Sequence, residues 1–170
     1  MQEKQPTIFL FAALLGFGVS FTIHLISYFS PQSIGGFAYT YVLHFFALLM
    51  VIPTIGALDR INETNNWRLM WNSLQQKVPK ALQLLAVLLF VYAIFSFFYN
   101  LMVLNEGAQA CVTKGDYVLA NREGILKKLS TEDYHLHKAY SLRTDSAYWI
   151  LFFYLQCVLL YTAQKIHSRN

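Results

Sequence analysis

The stretch TIFLFAALLGFGVSFTIHLISYF, residues 7–29, decides the fold. It runs for twenty-three residues without an Asp, Glu, Lys or Arg. At ~1.5 Å of helical rise per residue, that length crosses the ~30 Å hydrocarbon layer of a bilayer. Three further stretches are apolar enough to do the same: 37–58, 81–103 and the shorter 147–163, which carries Gln156. The composition around them agrees. Over 170 residues, 56% are hydrophobic and only 13% charged, about half the charged share of ordinary soluble domains. Such a chain cannot coat a water-soluble globule. With 8 Gly, 4 Pro and 2 Cys it is not collagen-like, disordered or a disulfide scaffold either. The expected fold is an all-α, single-domain, four-helix transmembrane bundle.

An even number of crossings puts both termini on one side. With the termini inside, Lys4, Arg60, Arg68, Lys77, Lys80, Lys165 and Arg169 are cytoplasmic. The six remaining cations share the 104–146 connection with six acids. Long polar segments translocate with less regard to charge, so cytoplasmic termini are expected. The first span is read as a retained anchor, because no small-residue cleavage site follows Phe29.

Between spans two and three, Trp67, Met70, Trp71, Leu74 and Val78 recur at offsets of three and four. This is the pattern of a helix lying in the interface, with Trp67 and Trp71 as anchors at headgroup depth. Pro79 then opens the third span, where a missing N–H is harmless. The 104–146 connection reads as an extracytoplasmic cap. Its elements are a hairpin with strands from Asp116 and from Ile125, a turn at Glu123-Gly124, and a helix capped by Ser130 with Asp133 three residues on. Tyr117, Asn121, Arg122, Tyr134 and His135 are the cap residues expected to meet a partner.

Ionisable groups inside spans are functional candidates by default, and His24 and His44 are the two. Ala12, Gly16, Ser20 and His24 recur every four residues, with Ser27 beyond, a small-residue stripe suited to close helix packing. Thr40, His44 and Ala47 form the corresponding stripe of span two. Both imidazoles are therefore expected to face inward and toward each other. With Ser27, Thr40, Asn100 and Tyr148 they would make a polar pocket in the outer half of the bundle. Two imidazoles are also the start of a haem or transition-metal site, although a third ligand at a recognisable offset is missing. His135 and His137, at i and i+2, do not share a helix face.

The stretch 115–124 (GDYVLANREG), followed by LSTEDY at 129–134 and RTDSAYW at 143–149, resembles a group of uncharacterised small bacterial membrane proteins. The histidines of Ile23-His24-Leu25 and Leu43-His44-Phe45 fall where that group has them. The resemblance implies a bacterial inner-membrane location and supplies no activity. Where the group shows Gly-His before the Trp, this chain has Ala147-Tyr148, so the last member of a three-histidine site is missing here.

No zinc-protease, nucleophile-elbow, Walker or Rossmann signature occurs, and no concentrated basic patch invites nucleic acid. The expected function is non-catalytic: an accessory, interaction or sensing protein in the lipid bilayer, working with a protein partner or as a homo-oligomer. The alternatives are a membrane redox module using His24 and His44, and a subunit of an oligomeric channel. Four lipid-embedded spans predict that the chain stays in the pellet after alkaline carbonate extraction. Cysteines placed at residue 62 and residue 114 should react with impermeant reagents from opposite sides of the membrane.

Overall fold

The computed structural model describes residues 5–30, 38–61, 67–104 and 107–167. It is mostly helical. In chain order the helices are α1 (Gln5–Phe29), α2 (Ala38–Leu49), α3 (Val51–Ile61), α4 (Trp67–Lys77) and α5 (Lys80–Tyr99), the last continuing as a π-helical segment, Asn100–Leu104. Strands β1 (Gln109–Thr113), β2 (Asp116–Asn121) and β3 (Gly124–Lys128) follow, and then α6 (Thr131–His167). Four stretches are long and apolar enough to cross a bilayer: Thr7–Phe29, Tyr41–Asp59, Lys80–Leu104 and Thr131–Lys165.

The helix α6 is the hub. It contains no Gly or Pro, so nothing interrupts its 37 residues. Every other long helix packs on it, and the helices around it touch one another far less. The helix α1 runs antiparallel to it. Gln164 donates to the Thr7 hydroxyl at one end, Gly16 meets Phe153 in the middle, and Arg143 donates to the Ser27 carbonyl at the other. The helix α5 is also antiparallel, joined through Ala93 against Ala147 and Leu151 and through the Tyr154 hydroxyl on the Leu82 carbonyl. The span made of α2 and α3 runs parallel to α6, with Phe46 against Phe153 and Gln156 donating to the Ala47 carbonyl. The architecture is three spans around a central fourth.

The expected small-residue stripe of α1 is the packing face from its second member on: Gly16, Ser20, His24 and Ser27 are buried, while Ala12 is half-buried and its neighbour Ala13 is the buried one. At Gly16 the glycine is required by space, because a Cβ would lie 2.5 Å from the Phe153 ring. Large apolar side chains elsewhere, such as Phe11, Leu84 and Phe95, are exposed in the way that lipid-facing groups are.

Two expectations are corrected, and span two, present as expected, carries a one-residue turn at Met50 between α2 and α3, because Pro53 has no N–H for the Leu49 carbonyl and its ring crowds that oxygen. The Thr54 hydroxyl donates to the Met50 carbonyl at 2.7 Å, beside the longer Thr54 N–H bond to the same oxygen at 3.4 Å. The cap carries a three-stranded antiparallel sheet of order β1-β2-β3, not a hairpin alone. The added strand, β1, joins β2 through a two-residue turn in which Lys114 (φ 53°) and Gly115 (φ 87°) both take positive φ. That backbone is the one a tight hairpin needs. Finally, the cap helix and the fourth span are one continuous helix.

Other expectations stand. The β2–β3 hairpin is present, its turn held by the Asn121 side-chain oxygen accepting from the Glu123 and Gly124 N–H groups. Ser130 caps α6, its hydroxyl accepting the Asp133 N–H at 3.0 Å. Pro79 precedes α5, and its carbonyl accepts from Leu82 and Gln83. The helix α4 lies where an interfacial helix was expected. Trp71 on it is half exposed, and the side chain of Trp67 falls outside the described residues. The Gln83 amide donates to the Gln75 and Val78 carbonyls, satisfying the end of α4 from the following helix.

Filling the Gly16 notch tests the central seam. Gly16→Val should destabilise the fold by about 1–3 kcal/mol through overpacking, measured by steric trapping in bicelles. Phe153→Leu should recover part of that loss in the double variant and cost stability on its own.

Candidate functional site

Two polar sites occupy the cap end of the bundle, and they are built differently. The first surrounds His24. Its Nδ1 lies 2.8 Å from the Ser146 Oγ on α6, and its Nε2 lies 2.7 Å from the Tyr92 hydroxyl on α5. Accounting for the hydroxyl protons fixes the tautomer. We assign the Ser146 proton to the Leu142 carbonyl at 2.6 Å, the shorter of its two main-chain contacts, which leaves the hydroxyl to accept from the ring. Nδ1 therefore carries the hydrogen in the neutral imidazole. Nε2 is left as the acceptor of the Tyr92 O–H, and Tyr92 in turn accepts from Tyr28, 3.3 Å away. The result is a one-way chain of donors, Tyr28 to Tyr92 to His24 to Ser146 to the Leu142 carbonyl, joining α1, α5 and α6.

Arg143 closes this site on the cap side. Its Nε and Nη2 donate to the Ser27 carbonyl at 3.1 and 2.7 Å, and its guanidinium lies over the rings of Tyr28 and Tyr140 at 4.1 and 5.2 Å. The last turn of α1 has no cation of its own, so Arg143 serves as its C-terminal cap from a neighbouring helix. The Ser27 hydroxyl bonds back to the His24 carbonyl. Counted by charge alone, Arg143 is one more cation of the cap; its i+3 relation to Ser146, with Tyr28 adjacent to Ser27, is the only hint of this role.

The second site is a cleft of about 370 Å³ between cap and bundle. Each wall comes from a different element: His44 from α2, Asn100 from the π segment, Gln109 from β1, and Lys138, Ser141 and Asp145 from α6. Arg143 makes the hydrogen bonds of α6 to the end of α1, and the first turns of α6 before it carry the sheet. Tyr117 of β2 stacks on Tyr134 at 4.4 Å, and Ala108, Ala110, Leu119 and Leu129 complete the seam. Lys138 places its Nζ 5.5 Å from the Tyr134 ring centre.

The expected single pocket is thus divided. His44 and Asn100 line the cleft, His24 and Ser27 belong to the chain of donors, and Tyr148 packs against Phe97 in the α5–α6 seam. Thr40 lies on α2, with its side chain outside the described residues. The two imidazoles pack against different rings, His24 against Tyr28 and Tyr92 and His44 against Trp149. The ring of His44 packs edge-on to Trp149, centroids 5.0 Å apart, and lies within electrostatic range of the Asp145 carboxylate. Ligating a metal through either His24 nitrogen requires one of its two hydrogen bonds to be given up. Among the described residues no three His, Cys, Asp or Glu side chains are grouped to hold a metal ion. In the cap, Tyr117, Tyr134 and Asn121 hold the sheet together and to α6, while Arg122 is exposed and His135 half-buried against Tyr134.

No family model, no curated protein and no solved structure matches this chain. The resemblance to small bacterial membrane proteins rests on the quoted motifs alone.

The donor chain makes a spectroscopic prediction. In ¹⁵N-histidine-labelled protein, His24 should show the Nδ1–H tautomer at neutral pH. Tyr92→Phe should leave that proton in place while shifting the Nε2 resonance, and should cost about 1 kcal/mol of stability for the lost bond.

Proposed function

We propose that this chain is a non-catalytic multi-pass protein of the bacterial inner membrane, with both termini cytoplasmic. Its accessory or sensing role is exercised through the cap and the cleft beneath it. The cleft carries this reading. Its walls come from the cap, two spans and the π segment, so occupancy changes the contacts that hold the cap to the bundle. The His24 chain supports the reading from the other side, since its donors and acceptors pair with one another and leave it suited to holding helices together. The balance of cations supports the orientation, and the resemblance supports the membrane.

Photo-crosslinking in intact cells tests the reading. A benzoylphenylalanine at Arg122 should give a discrete protein adduct, and the same label at Phe90, on the lipid-facing side of α5, should give none. Deleting residues 116–128 should leave the chain in the membrane pellet and abolish capture by a second label at Lys138. Equal, diffuse labelling from all positions would overturn a recognition role for the cap.

A further inference from the structure

The order of charges along the cleft names a class of ligand, an inference that rests on reading the cleft as a recognition site. Lys138, Ser141 and Asp145 are spaced by three and four residues, which keeps them on one face of α6. Helical rise sets the Cα atoms of Lys138 and Asp145 ~10 Å apart along the axis. Lys138 is at the sheet end and Asp145 at the membrane end, with the hydroxyls of Ser141 and Thr144 between them. Asn100 and Gln109 bring side-chain amides to the same space from the π segment and β1. The lining therefore reads cation, hydroxyls and amides, and an anion with the His44 ring beside it.

A complementary molecule has an anionic end toward the sheet, a hydrogen-bonding middle and a cationic end toward the membrane. Extended peptide advances ~3.3 Å per residue, so two or three residues place a terminal ammonium and carboxylate far enough apart to meet both charges. A free amino acid, with its charges on one carbon, reaches only one of them. A phospholipid has the wrong polarity. With its tails in the bilayer, its phosphate sits on the acyl side of its head amine, setting anion against Asp145 and cation against Lys138. The cleft volume of about 370 Å³ falls within the ~300–1,000 Å³ of small-molecule sites.

We propose that the cleft binds a short zwitterionic peptide of two or three residues, with its carboxylate on Lys138 and its ammonium on Asp145.

Calorimetry on the full chain in nanodiscs tests this with four probes: tri-alanine, N-acetyl-tri-alanine, tri-alanine amide and alanine. Tri-alanine should bind, and each terminal block should weaken binding at least about tenfold, the equivalent of ~1.4 kcal/mol. Alanine should bind more weakly still. In Asp145→Asn the free and acetylated peptides should become equal. In Lys138→Gln the free acid and the amide should become equal, whereas Lys138→Arg should keep the preference. Melting curves identify any variant that fails to fold, and the blocked peptides on unaltered protein then decide. No binding of tri-alanine, indifference to both blocks, or displacement by raising the phosphatidylglycerol or phosphatidylethanolamine content would overturn the assignment. Cap crosslinks that persist without peptide binding would sink the peptide and leave the recognition role standing.

Discussion

In hydrocarbon, apolar side chains gain nothing by leaving lipid for one another, so something other than the hydrophobic effect must hold these helices together. The structure answers with close contact and hydrogen bonding, gathered on α6. Gly16 lets α1 approach until its backbone touches the Phe153 ring. Gln156 reaches a main-chain carbonyl of α2, Tyr154 one of α5, and Ser146 the imidazole of α1. Each bond is local, and each removes a polar group from a medium that cannot solvate it. That economy explains the lopsided bundle: helices that satisfy themselves through α6 have little need of one another.

Much of this was legible in the chain because lipid imposes simple rules. Span length and the absence of charge located the four helices long and apolar enough to cross a bilayer. The four-residue recurrence of small side chains found the inner face of α1. Ser130 and Pro79 marked helix starts through the backbone groups they satisfy or lack. The misses have equally plain causes. Pro53 stands in a hydropathic stretch whose average hides a single missing N–H. The strand β1 is short and mixed in polarity, and its turn uses a lysine where glycine or asparagine is the usual signal.

The polar site was harder to read than the fold. His24 and His44 each sit on a stripe of small residues, and the two stripes suggested a shared pocket. Rotation about the helix axes decides otherwise, and it depends on partners far along the chain: Ser146 and Tyr92 for one ring, Trp149 for the other. Arg143 shows the same limit. In a count of charges it belongs to the cap, yet in three dimensions it finishes a helix begun more than a hundred residues earlier.

The missing glycine and proline in α6 have a mechanical consequence. A rod with no hinge cannot absorb a twist locally, so torque applied where the sheet is mounted must turn the buried length of the same helix. Trp149, Phe153 and Gln156 would swing in step against α2, close to the turn at Met50 where α2 meets α3. Load at one membrane surface would thus be felt as slip across that joint.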